Sequence, residues 1–382
     1  MKCKHWRSSL LVAIGIAPLV VACGSSGGSS AASPASPGTS ASAGTSACVQ
    51  KASAYVAPFE ASSGSLSVTP LSGSVSALRG KTLWFLAPLS IPTFLDQANG
   101  IKTAAAPLGI KVHTFDTQGE ASLDNQGLSE AVSAGAAGIF IDGVATALVA
   151  AELGDVAAAH IPVISFYEHP SNAATASAVN YTIDSDDLAI GKALGAEAAV
   201  LTGCQGTVGQ LYTTVFSASV LFKDGVGDEL KALCAATCKQ ATAQLGSSDI
   251  SADGPTAATL VRRTNAKVII TTGDSDVPYI EAAFQQSGLN AAIIGGSGSP
   301  PAIKALGQAN NLLKIDASPP SDEYVAFLGM DAMLHVLEKS SVPTTDAIPE
   351  RFVTAAILAQ NNNVVFPDLA GFQAKFEAAW KG

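Results

Sequence analysis

The chain has 382 residues, of which 48% are hydrophobic, and a formal net charge of −10. This length and composition supply enough apolar side chains for two domains with full cores. Because basic residues form no cluster beyond the pair Arg262-Arg263, the composition argues against a nucleic-acid partner.

The first 22 residues have the pattern of a bacterial export signal. A basic start precedes an apolar run over 10–21 that is too short to span a bilayer. Cys23 follows at the expected cleavage point, where a cysteine marks a lipoprotein whose thiol receives a diacylglyceryl group with acyl chains such as palmitate. We therefore expect a signal peptide over 1–22 and a protein anchored to the outer face of the bacterial cell membrane through Cys23. The alternative is an ordinary secreted protein that is cleaved elsewhere, since Val20 replaces the usual leucine.

The next two segments differ in composition. Residues 23–47 are almost all Ser, Gly, Ala, Pro and Thr, which predicts a flexible tether. Residues 48–80 form an N-terminal extension, in which a helix is expected over 49–59.

Four cysteines remain beyond Cys23, at Cys48, Cys204, Cys234 and Cys238. An even number of cysteines outside the cytoplasm favours disulfides over free thiols, and the spacings do not fit a zinc site. Four cysteines allow three pairings, and the sequence does not choose among them.

A regular alternation of apolar runs and amphipathic segments begins at residue 81. Runs that are apolar throughout predict buried strands, and the segments between them predict helices. The first series is strand 83–87, helix 94–108, strand 110–115, helix 122–134, strand 138–141, helix 145–160 and strand 163–166. The second is helix 188–201, strand 207–211, helix 218–235, strand 240–244, helix 257–264, strand 268–272, helix 278–286, strand 292–294, helix 301–309, strand 312–315 and helix 324–338. Apolar strands joined by helices predict α/β architecture, with two doubly wound parallel-sheet lobes.

Several short motifs follow these predicted elements in a particular order. They are SIPTF at 90–94, IPVIS at 161–165, DSDD at 184–187, Gly273-Asp274, and GGSG at 295–298. Their order and spacing resemble the type I periplasmic solute-binding proteins, in the ribose-binding-like branch that serves ABC importers. The family's corresponding segments read N-N-P-F-F, I-P-V-V-T, S-D-N, N-D and G-F-D-G.

The resemblance implies two lobes joined by a three-strand hinge (the periplasmic binding protein-like I fold). Lobe 1 would comprise 81–184 and 319–346, and lobe 2 would comprise 185–318 and 347–382. It also implies a monomer that holds a small-molecule ligand between its lobes and delivers it to ABC permease subunits. No catalysis, metal or organic cofactor is expected.

The sequence departs from the sugar-binding members where they contact their ligand. Tyr167-Glu168 replaces a D-R pair, Phe222 an arginine, Gly273 an asparagine, Ser297 an aspartate, and Ser318 the hinge glutamine. Sugar hydroxyls favour the charged partners that are missing here, so we expect a cleft that is less polar and more aromatic. The ligand would be sugar-like or a less polar small organic molecule.

Ligands of open parallel sheets bind beyond the carboxyl ends of the strands. The residues predicted to bind the ligand are Ser90, Phe94, Asp142, Tyr167, Glu168, Phe222, Asp274, Ser297 and Ser318. Four of them have a structural alternative: helix capping for Phe94, Asp142 and Asp274, and core packing for Phe222.

Two other functions remain open at this stage. A ligand-sensing lipoprotein that signals to a membrane receptor would use the same cleft. A secreted glycoside-acting enzyme is the alternative of another class, although the chain contains neither G-x-S-x-G nor H-E-x-x-H.

Overall fold

The structure is a computed structural model that describes residues 39–170, 172–246, 249–308, 311–342 and 348–381. The predicted signal peptide, Cys23 and the tether up to residue 38 lie outside the described residues. Among the residues described, no helix is both long and apolar enough to cross a bilayer.

The first lobe is built on a five-stranded sheet whose neighbouring strands are all parallel. In chain order the strands are β1 (Thr82–Ala87), β2 (Lys111–Asp116), β3 (Gly138–Asp142), β4 (Val163–Phe166) and β5 (Tyr181–Ile183), arranged as β2-β1-β3-β4-β5. The helices are α2 (Pro92–Ala105), α3 (Ala121–Ser133), α4 (Ala150–Ala158), α5 (Ala173–Ala178) and α11 (Asp322–Leu337).

The strands of this sheet are apolar because both of its faces are covered. Phe85, Phe140 and Phe166 pack with α2 and α11 on one face. Leu86 and Ile139 pack with α3 and α4 on the other face. Each such side chain contributes about 1.5–3 kcal/mol through burial, so both helical layers are held firmly to the sheet.

The second lobe is built on a six-stranded sheet in the order β11-β10-β9-β8-β6-β7. The strands are β6 (Gly206–Tyr212), β7 (Cys238–Gln244), β8 (Val268–Thr271), β9 (Ala292–Gly295), β10 (Leu313–Ser318) and β11 (Arg351–Val353), and only β11 runs antiparallel to its neighbour. One face carries α1 (Thr39–Glu60), α6 (Asp187–Thr202) and α7 (Ser217–Cys234). The other carries α8 (Asp253–Thr264), α9 (Val277–Ser287), α10 (Pro300–Leu306) and α12 (Ala355–Gln360). The predicted α/β fold of two doubly wound parallel-sheet lobes is confirmed.

The chain passes between the lobes after β5, after β10 and before β11, and it returns to the first lobe after α12. Two of these passages are bonded to each other, because the Ile348 amide donates to the Asp184 carbonyl oxygen at 2.7 Å. The second passage carries Pro319-Pro320, which restricts its backbone.

The structure differs from the sequence-based expectation at several places, including the following. Helix α1 begins at Thr39, within the segment predicted as tether. The strand β5 and the helix α5 were not predicted, because both are short and lack a clear apolar period. The C-terminal helix α13 (Phe372–Ala379) packs on α11 of the first lobe, although 347–382 was assigned to the second.

Contacts of Trp380 explain why α13 packs on the first lobe. Trp380, just after the helix, stacks on Phe327 with the ring centroids 5.6 Å apart, and its Nε1 donates to Asp331 Oδ1 at 2.7 Å. Burial of this ring and pairing of its N–H hold the C-terminus to the first lobe.

The four cysteines form two disulfides, as the sequence favoured. Cys48 pairs with Cys204, which ties α1 to the loop after α6, and Cys234 pairs with Cys238, which links α7 to β7. The first bridge closes 156 residues of chain and therefore fixes the N-terminal helix to the second lobe.

Candidate ligand-binding site

The carboxyl ends of the two sheets border a cavity of about 170 Å³ between the lobes. Its volume equals that of about six water molecules, which suits a molecule of monosaccharide size. Six of the predicted ligand-binding residues line it, namely Phe94, Asp142, Tyr167, Glu168, Phe222 and Ser297. Ser90, Asp274 and Ser318 do not line it.

Tyr167 follows β4 in a left-handed backbone conformation, with φ +58°. Its amide donates to the carbonyl oxygen of Ile183 at 2.8 Å, which holds this turn against β5. A left-handed conformation is unfavourable for a residue with a bulky side chain, and such strain concentrates at functional positions. The turn directs the Tyr167 ring to the cavity wall.

Phe94, near the start of α2, lies at the contact between the lobes. Its ring meets Phe216 of the second lobe edge-on, with centroids 5.9 Å apart. Gly143 makes room for Phe94, because a Cβ at that position would lie 3.0 Å from the ring's Cζ atom. The side chain does not cap α2, whose N-cap residue is Ile91.

Phe222 lines the cavity from α7 and also belongs to the core of the second lobe. Helices α6 and α7 approach closely at two glycines. A Cβ on Gly191 would lie 2.5 Å from the Phe222 carbonyl oxygen, and one on Gly225 would lie 2.5 Å from that of Leu188. The ring therefore has both of the roles that the sequence left open, as core residue and as cavity wall.

Glu168 connects the two lobes. Its Oε1 accepts a hydrogen bond from the Ser217 amide at 2.9 Å, and its Oε2 accepts one from the Ser217 hydroxyl. Ser217 begins α7, so the carboxylate also lies at the positive end of that helix. Beside this contact, the Ala145 amide donates to the Val215 carbonyl oxygen at 3.3 Å. These bonds hold the lobes together at the mouth of the cavity.

Asp142 ends β3 and is 2% exposed. Burial raises the pKa of its carboxyl well above the usual value, and the nearby carboxylates of Glu168 and Asp322 raise it further. Its Oδ2 has no hydrogen-bond partner within the described part of the chain. Helix capping is not its role, because the next helical turn starts after the N-cap residue Ala145.

Asp274 does not line the cavity, and its carboxylate instead holds a neighbouring loop in place. Its carboxylate accepts hydrogen bonds from the Ser297 amide at 2.9 Å, the Ser297 hydroxyl at 2.6 Å and the Ser299 amide at 3.1 Å. These bonds shape the loop after β9 and leave the carboxylate fully buried. A ligand would meet Ser297 instead of Asp274.

The other two predicted residues that miss the cavity also have local explanations. Ser318 is fully buried, and its hydroxyl donates to Asp316 Oδ1 at 2.8 Å. Ser90 lies exposed in the turn between β1 and α2. Neither side chain reaches the cavity.

The cavity also has polar lining residues that the sequence analysis missed. They include Gln97 on α2, Asp187 on α6, Asp253 on α8, Asp322 on α11 and Glu350 in the third passage between the lobes. Burial raises the pKa of Asp187 to about 8 and that of Asp253 to about 7. An amide or carboxyl on an otherwise apolar helix face was the available signal for Gln97 and Asp187.

A larger cavity of about 1020 Å³ lies between α2, α10 and the segment 363–373. It contains none of the residues predicted to bind the ligand. The smaller cavity is the candidate site, because strand ends of both sheets converge on it.

Comparisons with known proteins identify a protein family that the sequence matches. The family described as periplasmic binding protein domain matches residues 84–339. No curated protein matches the sequence.

Solved structures share the fold at low sequence identity. A 5-methylthioribose transporter solute-binding protein from Thermotoga lettingae TMO, in complex with 5-methylthioribose, is 15% identical, with a TM-score of 0.66 over 82% of this chain and 95% of that one. An ABC transporter solute-binding protein from Agrobacterium vitis with bound allitol is 14% identical, with a TM-score of 0.66 over 75% and 99%. A carbohydrate transporter from Acidothermus cellulolyticus 11B, in complex with myo-inositol, is 17% identical, with a TM-score of 0.62 over 78% and 99%. The matched family and these neighbours are solute-binding proteins, not enzymes.

The left-handed backbone at Tyr167 predicts opposite orders of stability at two tyrosines. Because glycine adopts positive φ without strain, Tyr167→Gly should unfold with a free energy about 1 kcal/mol higher than Tyr167→Ala. Tyr279, exposed on α9, is the matched control, where Gly should be about 1 kcal/mol less stable than Ala. Urea unfolding of the four variants measures both differences. Equal stabilities for the two Tyr167 variants would contradict the strain.

The buried carboxyls predict how stability depends on pH. Burial raises the pKa of Glu168 to about 7, although its bonds from Ser217 lower it. A carboxyl whose pKa is raised by folding stabilises the fold fully below its unfolded pKa, and this contribution is lost as pH rises through the folded value. The melting temperature of the empty protein should therefore fall between about pH 4.5 and pH 8.

Glu168→Gln separates this residue from the other carboxyls. The amide keeps an acceptor for Ser217 but does not titrate, so up to about 3 kcal/mol of the pH dependence should disappear. Melting curves at several pH values measure the slope. Asp155 is exposed, and Asp155→Asn is the control that should leave the slope unchanged. An unchanged slope in Glu168→Gln would show that Glu168 does not cause the pH dependence.

Proposed function

This chain belongs to the periplasmic binding protein family, and we propose that it is the solute-binding lipoprotein of an ABC importer. The family works outside the cytoplasm, where its members bind small solutes. The observation that carries the proposal is the cavity of about 170 Å³ between the strand ends of two lobes. Its lining combines aromatic rings with a few polar groups, as small-molecule sites do.

The mechanism is closure of the lobes on the solute. In the described part of the chain, the contacts between the lobes at the cavity include the Glu168–Ser217 hydrogen bonds, the Ala145–Val215 bond and the Phe94–Phe216 ring pair. A ligand that touches both lobes adds to these contacts only in the closed form, so it can shift the equilibrium towards closure. The closed form would then be recognised by the permease subunits.

The ligand is sugar-like or a less polar small organic molecule. Tyr167 and Phe222 on the cavity wall support this class, since ring faces can stack on the apolar face of a sugar or on a less polar ligand. The solved neighbours carry methylthioribose, allitol and myo-inositol, which are of similar size.

A ligand-sensing lipoprotein that signals to a membrane receptor is the second candidate, since it would need the same cleft. A gene for a permease or an ATPase beside this one would favour import. A glycoside-acting enzyme is disfavoured, because the matched family binds solutes.

A ligand screen tests the binding function. A ligand that binds only the folded protein raises its melting temperature, so sugars, polyols, amides, aromatic acids and amines can be compared without prior choice. Phe94→Ala and Tyr167→Ala should weaken the best hit by about tenfold or more, because each removes a ring from the cavity wall. Tyr279→Ala should leave the affinity unchanged. Absence of any hit, or full affinity in both cavity variants, would refute the proposed site.

Lipid attachment at Cys23 has its own test. Cells that express the natural chain should incorporate labelled palmitate into it and retain it in the membrane fraction. Cys23→Ser should abolish labelling and release the protein from the membrane. Cys48→Ser is the control, and its labelling should persist because Cys48 pairs with Cys204. Labelling of the Cys23→Ser variant would exclude this anchor.

A further inference from the structure

The charges around the cavity are all of one sign. Six carboxyl side chains line it: Asp142, Glu168, Asp187, Asp253, Asp322 and Glu350. Among the described residues of the lining there is no lysine, arginine or histidine. The nearest histidine in sequence, His169, contacts Asp184 instead and is more than half exposed.

Several polar atoms of the lining are buried and without a hydrogen-bond partner in the described structure. Gln97 is fully buried, yet neither its Oε1 nor its Nε2 is bonded. Three carboxyl oxygens are likewise buried and without a partner among the described residues: Oδ2 of Asp142, Oδ2 of Asp187 and Oε2 of Glu350. Buried polar atoms are nearly always paired in folded proteins, so the unpaired oxygens indicate a ligand that brings hydrogen-bond donors, and Nε2 of Gln97 indicates that the ligand also has an acceptor.

Aromatic rings form much of the remaining wall. Phe94 and Phe216 meet at the lobe boundary, and Tyr167 and Phe222 lie on opposite lobes. Ring faces attract a cation through their negative quadrupole, most strongly where water is excluded. Carboxylates and rings therefore favour the same kind of ligand.

We propose that the cavity binds a small organic cation, an ammonium-bearing molecule of about monosaccharide size. This inference rests on the proposed solute-binding function. The ammonium group of the ligand donates hydrogen bonds to Asp142 and Asp187. The rest of the ligand lies against Phe94, Tyr167 and Phe222. A neutral polyol would also donate hydrogen bonds, but only a cation favours the ionised form of these carboxyls and so gains an ion pair with them.

The raised pKa values of the carboxyls that line the cavity are consistent with a missing positive charge. Burial, followed by neighbouring carboxylates, raises the pKa of Glu350 and of Asp322 well above their usual values. A bound cation would lower these pKa values, because an opposite charge favours the ionised form.

Matched pairs of probes separate charge from shape. D-Glucosamine and D-glucose differ at one substituent, an ammonium group against a hydroxyl, and D-galactosamine and D-galactose differ in the same way. Calorimetric titration of the purified protein at neutral pH should give at least about tenfold tighter binding of the cation in one or both pairs.

Asp142→Asn tests the assigned partner. The amide has the same shape without the charge, and it should weaken binding of the cation by about 30-fold or more, which is at least about tenfold more than it weakens binding of the neutral partner of the pair. Asp155→Asn, an exposed aspartate on α4, is the matched control and should change neither affinity. The melting temperature of each empty variant verifies that it is folded.

The outcomes distinguish this inference from the proposed function. If neutral sugars or polyols bind while the amines bind no tighter, or if Asp142→Asn binds the cation fully, the cationic ligand is refuted and solute binding stands. If no compound of either charge binds, the proposed function fails as well.

Discussion

Parallel pairing of the strands within each sheet determines where this molecule can hold a ligand. Because β1, β3 and β4 run in one direction, the residues that follow them emerge at the same edge of the sheet. The same is true of β6, β8 and β9 in the second lobe. With the two edges facing each other, short loops from distant parts of the chain line one cavity, and helices on both faces keep those loops in place.

The parallel pairing of the strands also explains which parts of the structure could be predicted from the sequence alone. Apolar runs such as β3 and β8 are buried on both faces, so their positions and pairing type are readable from composition. The loops after them are then predictable as candidate site residues, and Asp142, Tyr167 and Ser297, which were predicted in this way, line the cavity. Elements that are stabilised by tertiary contacts could not be predicted from the sequence. The three-residue β5 needs β4 beside it, and α13 is held to the first lobe by Trp380.

Within the site, the sequence could not distinguish two kinds of aspartate. Asp142 and Asp274 both follow a buried strand, yet one faces the cavity and the other is saturated by hydrogen bonds from the next loop. The difference depends on where Ser297 and Ser299 lie in space. Gln97 and Glu350 were missed for a related reason, since one lies on a helix and the other in a passage between the lobes, and only the packing in three dimensions brings both to the cavity.

In the proposed mechanism, closure and charge are coupled. The carboxyls of Asp187 and Glu168 are buried where the lobes meet, and burial raises the pKa of each, so the ionised form is disfavoured there. The closed empty cleft is therefore less favourable at higher pH than its interlobe hydrogen bonds alone would suggest. A solute that supplies donors to Gln97 and to the unpaired carboxylate oxygens removes that penalty only in the closed form. Binding and closure then reinforce each other, because the differential affinity of the ligand for the closed state is what shifts the population. Solutes that leave these groups unpaired are rejected by the same penalty, so the polar lining sets specificity while the aromatic walls supply contact area.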